Sequence, residues 1–207
     1  MLIYVDDLII MGNNTTAISA FKYLSHCFHM KDLGVLKYFL GIEISREPSG
    51  MFLSQRKYTL DILAEIGLLG AKPTLSPIDQ NHRLTLDDGP MYSDPVQYRK
   101  LIGRLIYLTI IRPELCYSVH VLAQFMQCPR EIHWEVTIHV LRYLKGHPGQ
   151  GIFLRRDNAL QLIAYCDSDW GACPLSRCSR TGYFIFFGWF SHFLEDKETT
   201  YCLSFFG

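Results

Sequence analysis

Two short apolar runs, Leu2 to Val5 and Leu8 to Met11, flank the polar pair Asp6-Asp7, a pattern that predicts a β-hairpin. Asn13-Asn14-Thr15 then offers helix-capping side chains. Ile18, Phe21, Leu24 and Phe28 recur at helical spacing, and Lys31-Asp32-Leu33-Gly34 is expected to end that helix, with glycine suited to the stop. Residues 38–44 read as a strand, Glu47-Pro48-Ser49-Gly50 as a turn and Met51-Phe52-Leu53 as the returning strand. Residues 55–69 predict a helix, with Tyr58, Leu60, Ile62, Leu63 and Ile66 on its apolar side.

Residues 71–92 carry three prolines and few periodic apolar positions, so they read as a linker or surface loop. Three helices are expected next. One covers about 94–111, with Tyr98, Leu101, Ile102, Leu105 and Leu108 inward; one starts at Pro113 and runs to about Met126; one covers about 130–145. Gly146 to Gly151 breaks the pattern. Strands are predicted at 152–154, 160–166 and 181–188, and no internal repeat is visible.

A chain of 207 residues fits one large domain or two small ones. Twenty basic and 20 acidic residues cancel, so net charge is no argument for nucleic-acid binding. Residues 94–157 are locally basic: nine Lys and Arg against five Asp and Glu, a difference of plus four. Seven cysteines without a Cys-x-x-Cys pair argue against a disulfide scaffold or a structural zinc site and suit a reducing, intracellular setting. No apolar run reaches the ~18 residues of a membrane span, and the start lacks the pattern of a signal peptide. His26 with His29, and His133 with His139, lack the spacing of a helical metal pair and are read as surface or partly buried helix residues.

Two places carry candidate chemistry. Asp6 and Asp7 at a hairpin tip can present carboxylates to divalent cations, as two-metal phosphoryl transfer requires, with Tyr4 beside them; alone, Asp-Asp reads more often as an ordinary polar turn. Asp167 follows the alternating run Leu160 to Tyr165 and stands at a strand end, with Asp169 two residues on. Alone it too reads as a turn residue.

Taken in order, eight segments resemble the Pol polyprotein of copia-type retrotransposons: Leu-Ile-Tyr-Val-Asp-Asp (2–7), Met-Lys-Asp-Leu-Gly (30–34), Tyr-Phe-Leu-Gly-Ile-Glu-Ile (38–44), Phe-Leu-Ser-Gln-Arg-Lys-Tyr (52–58), Tyr-Arg-Lys-Leu-Ile-Gly-Arg-Leu-Ile-Tyr-Leu (98–108), Arg-Pro-Glu-Leu (112–115), Leu-Arg-Tyr-Leu-Lys-Gly (141–146) and Tyr-Cys-Asp-Ser-Asp-Trp (165–170). The resemblance implies an α+β chain: a partial reverse-transcriptase palm with primer-grip hairpin (1–54), thumb and linker (55–92), a helical connection (93–150) and a truncated ribonuclease H-like α/β unit (151–207). It implies Asp6, Asp7 and Asp167 as catalytic, metal-binding carboxylates for Mg2+ or Mn2+. Tyr4 and Lys31 would lie at the nucleic acid, though Lys31 also reads as a surface charge near a helix C-terminus. Arg99, Lys100, Arg104, Arg142 and Lys145 would follow the phosphates of an RNA–DNA hybrid or primer-template.

The family carries its fingers and first palm aspartate before a point equivalent to Met1, and a serine pair and a helix bearing a glutamate after the strand at 181–188. Phe205-Phe206 stand about where the serines would be, and Glu195 and Glu198 fall too early to be that glutamate. The expectation is therefore a truncated fragment, inactive alone, with hybrid binding or association with an intact Pol as the alternative role.

Overall fold

The computed structural model describes residues 2–5, 7–79, 84–85, 89–157, 161–169, 178–187 and 190–202. The chain divides into two units, Met1–Leu40 and Gly41–Gly207.

In the first unit, β1 (Leu2–Tyr4) pairs antiparallel with β2 (Asp7–Ile9), in the register Leu2 with Ile9, Ile3 with Leu8 and Tyr4 with Asp7. The expected hairpin is present, with Val5 in the turn at a φ of 49°. Helix α1 (Thr15–Cys27) follows, and Asn14 caps it: its Oδ1 accepts from the Ala17 amide at 3.1 Å. The helix ends before the expected stop. His29 already takes a φ of 52°, and Gly34 instead closes a side-chain turn in which Asp32 Oδ1 accepts its amide at 2.8 Å.

The strand expected over 38–44 is two pieces, β3 (Tyr38–Phe39) and β4 (Ile42–Glu47). Leu40 and Gly41 both have positive φ, 48° and 79°, a conformation no continuous strand tolerates. In the second unit β4 pairs with β5 (Gly50–Ser54), closing the predicted hairpin. β5 also pairs, along its whole length, with β6 (Gly151–Arg155), from Gly50 opposite Arg155 to Ser54 opposite Gly151. The sequence boundaries at 54 and 150 therefore both fall at the Ser54–Gly151 end of one continuous ladder, and β6 sits in the sheet of the β4–β5 hairpin. Nothing local to residues 151–155 names that partner.

Helix α2 (Arg56–Glu65) stops at Ile66, where Gly67 adopts a φ of 75° and the amides of Gly67 and Leu68 return to the carbonyls of Ala64 and Leu63. Helix α3 (Pro95–Leu108) starts as its sequence demands: Asp94 accepts from the Gln97 amide and Pro95 takes the first position. Its five expected inward residues, Tyr98, Leu101, Ile102, Leu105 and Leu108, are all buried. The helix expected from Pro113 begins as a 3-10 turn, Pro113–Leu115, and continues as α4 (Cys116–Ala123). Helix α5 (Glu131–Gly146) completes the set, and α2 to α5 share one core with Ile62, Leu63, Leu122, Phe125, Leu141 and Leu144 at its centre.

The described residues of the segment 71–92 are irregular but form no free linker; they make a strap over α5. Ile78, Leu84 and Tyr92 lie in the helical core. The segment runs antiparallel along α5, tied to it at successive points. Lys145 Nζ donates to the Ala71 carbonyl at 2.6 Å and Arg142 Nε to the Lys72 carbonyl at 2.9 Å. Thr74 reaches the His139 carbonyl, and His133 Nε2 meets the Thr85 carbonyl at 3.0 Å. At the near end, Tyr92 stacks on Trp134 with ring centres 4.6 Å apart.

A second sheet runs β7 (Leu162–Asp169), β8 (Cys178–Phe187) and β9 (Phe190–Cys202) in antiparallel order. The first two match the expected strands. The third was not anticipated, because the charged run Glu195-Asp196-Lys197-Glu198 does not alternate.

Candidate functional site

Tyr4 and Asp7 face each other across the β1–β2 pair, and both are exposed. Asp6 lies outside the described residues. Lys31 is exposed in the segment after α1. Among the described residues no three His, Cys, Asp or Glu side chains gather to hold a metal. Asp7 contributes one carboxylate, and a two-cation site needs more than one.

In the second unit Asp167 lies on β7 and is exposed. The register sets it opposite Gly182, itself opposite Asp196 on β9; two residues on, Asp169 pairs with Arg180 and Arg180 with Glu198 in the backbone register. The acids Asp196 and Glu198 thus come from a strand that sequence reasoning did not see. Trp170, Phe205, Phe206 and Gly207 lie outside the described residues.

The five basic residues expected to follow the phosphates all have protein partners. Arg99, on the exposed side of α3, donates to the Met126 carbonyl at 3.4 Å. Lys100 and Arg104, one turn apart on α3, both bind Glu65, the last residue of α2: Lys100 Nζ meets Oε1 at 2.6 Å and Arg104 meets Oε2. These bonds, from Lys100 first and then Arg104, hold the Glu65 carboxyl below its usual range. Arg104 also lies over the Tyr58 ring, 5.3 Å from its centre, and Tyr58 meets Tyr107 edge to face. Arg142 and Lys145 bind the carbonyls of the strap. If that lacing matters, Arg142→Ala and Lys145→Ala should each destabilise the chain by about 1 kcal/mol in a denaturant titration; residues reserved for phosphates would leave the midpoint unmoved.

Three residues that hold this scaffold escaped sequence reasoning. Arg112 is fully buried. Its Nε donates to Glu114 Oε1 at 2.5 Å, and its guanidinium also reaches the His147 carbonyl at 2.9 Å and Gln150 Oε1 at 3.5 Å. His133, expected at the surface or partly buried, is fully buried against Phe125, ring centres 3.8 Å apart. Its Nδ1 accepts the Arg130 amide at 3.0 Å, which caps α5 and leaves Nε2 to carry the proton toward Thr85. Gln55 is buried at the start of α2, with no hydrogen bond to its amide among the described residues. For Arg112 and Gln55 the only signal in the sequence was membership of a motif.

A hairpin, a helix and a strand pair lie in residues 1–80, and these residues match the reverse transcriptase (RNA-dependent DNA polymerase) family profile. The chain is 45% identical over 189 residues to the Retrovirus-related Pol polyprotein from transposon RE2 of Arabidopsis thaliana and 43% identical to that from transposon RE1; each match covers 91% of this chain and 13% of the relative. It is 39% identical to an uncharacterised mitochondrial protein of the same plant, over 91% of this chain and 78% of that protein. The chain belongs to the reverse-transcriptase family of retrotransposon Pol polyproteins. It spans 13% of the length of the two Pol relatives. No solved structure matches it. Among the described residues, no helix is long and apolar enough to cross a membrane.

Proposed function

We propose that this chain is the hybrid-handling part of a copia-type reverse transcriptase: palm edge and primer grip, thumb, connection and the start of a ribonuclease H-like unit. In this reading the helical body guides an RNA–DNA hybrid or primer-template by its phosphates, while Tyr4, Asp6 and Asp7 mark where polymerase chemistry takes place. The observation that carries it is the family match over residues 1–80, which contains the Tyr-Val-Asp-Asp hairpin. Magnesium or manganese, when bound, would supply charge neutralisation at the reacting phosphate.

A polypeptide of residues 1–207 offers Asp6 and Asp7 without the bridging aspartate that the family resemblance places before this hairpin. It is therefore proposed to bind hybrid but not to extend a primer or cleave RNA by itself. The test is direct. The purified polypeptide is incubated with primer-template or hybrid and magnesium or manganese, and binding is followed as salt is raised. Salt-weakened binding without turnover is the expected result. Extension abolished by Asp7→Asn, or cleavage abolished by Asp167→Asn, would overturn the inactive reading; absence of binding at low salt would overturn the guiding role.

A further inference from the structure

Glu65 stands at an electrostatically poor place for its own helix. It closes α2, where the helix dipole disfavours a negative charge, and no basic residue of α2 shares that last turn. Its carboxylate is held from outside, one oxygen on Lys100 and the other on Arg104. The arrangement is open to solvent: Lys100 is 64% exposed and Glu65 44%. Arg104 is 22% exposed and directed by the Tyr58 ring beneath it. Two cations converging on two oxygens of one anion are the groups that would bind a phosphodiester oxygen pair.

The backbone beside them is also accessible. Gly103 lies on the same side of α3, three residues after Lys100 and next to Arg104. It is exposed, and a Cβ built on it would meet nothing within 4 Å. The fold does not require glycine there, and glycine is a poor helix former. A bare patch between two cations lets a bulky backbone come close. α3 carries Arg99, Lys100 and Arg104 and no acidic residue, so its charge complements a polyanion.

We propose that Lys100 and Arg104 form a phosphate-binding pair for a nucleic-acid backbone, and that the Glu65 carboxylate occupies this pair as a built-in competitor that the phosphate displaces. This rests on the hybrid-binding reading above and adds a regulatory element to it: Glu65 sets how tightly, and with what salt dependence, the connection holds the duplex. Binding then includes an exchange of partners, in which the two cations leave one carboxylate for one phosphodiester while Glu65 turns to water.

The experiment is a hybrid-duplex titration of the full chain at several salt concentrations, using wild type, Glu65→Gln, the double variant Lys100→Ala/Arg104→Ala, and the triple combination. Glu135→Gln, an exposed change on α5, controls for net charge. Glu65→Gln is expected to bind roughly threefold to tenfold tighter, with a salt slope steeper by up to about two. The gain should vanish when Lys100 and Arg104 are already alanine, and Glu135→Gln should lack it. Gly103→Ala should keep the fold and weaken binding. Hybrid binding with no effect of Glu65→Gln, or an effect equal to that of Glu135→Gln or surviving in the triple variant, would overturn the competitor role while leaving the hybrid-binding reading intact. No binding by either wild type or Glu65→Gln would overturn both. Tighter binding of a helical protein partner, rather than the duplex, by Glu65→Gln would reassign the face to protein recognition.

Discussion

Arg112→Ala is expected to cost about 3 kcal/mol, because removing one member of a buried charged network leaves its partners unsatisfied and opens a cavity. For a chain of this size that is a fall in melting temperature of roughly 6–12 °C. Arg112 joins two pieces of chain that are far apart in sequence. Its guanidinium holds Glu114 at the start of the 3-10 turn and, through the His147 carbonyl and Gln150, the link between α5 and β6. Glu114→Gln should cost less, since Glu114 keeps some contact with water: its side chain is 28% exposed. Arg112→Met, which retains the aliphatic stem, should recover part of the loss by restoring packing. A melting temperature within a degree or two of wild type for Arg112→Ala would show that the link between α5 and β6 is held by other contacts.

Gly151→Ala should be comparably severe for a different reason. A Cβ at Gly151 would stand 2.0 Å from the Leu53 carbonyl oxygen, and one at Gly50 would stand 2.2 Å from that of Leu154. Both obstacles are backbone of the paired strand, so no flexible side-chain end can move aside. The β5–β6 ladder must separate locally, at about 3 kcal/mol for overpacking of this kind. Hydrogen exchange should report lost protection at Met51 to Leu53 and Ile152 to Leu154, with α3 keeping its own. Gly103→Ala gives the contrast in the same assay. With open space around it, alanine should stabilise α3 by up to about 1 kcal/mol. Equal stability of Gly151→Ala and wild type would contradict the observed register.

What could be read from the chain was whatever depends on neighbours in sequence. The inward face of α3 was legible because its five buried residues follow the helical period and Asp94-Pro95 announces the start. The carboxylate hairpin was legible because two apolar runs bracket Asp6-Asp7. The strap was not, because its ties join side chains of α5 to carbonyls some 50–75 positions away, and a carbonyl has no sequence signature. β6 could be seen as a strand but not assigned to β5. The basic residues were legible as charges, but their occupation by Glu65 and by strap carbonyls was not. The cap of α5 was missed because histidine at its third position does the work usually sought from serine, threonine or glutamate.

The pairing of β5 with β6 also imposes an order of events on synthesis. β5 leaves the ribosome roughly 100 residues before β6 is made, an interval of about 5–20 s at ordinary translation rates. During that wait Met51, Phe52 and Leu53 present an apolar strand whose outer edge has no partner, a template for pairing with a neighbouring nascent chain. Translation speed between residues 55 and 150, and chaperone access over the same stretch, therefore bear on yield: a slower ribosome lengthens the exposure, and the arrival of Gly151 to Arg155 ends it.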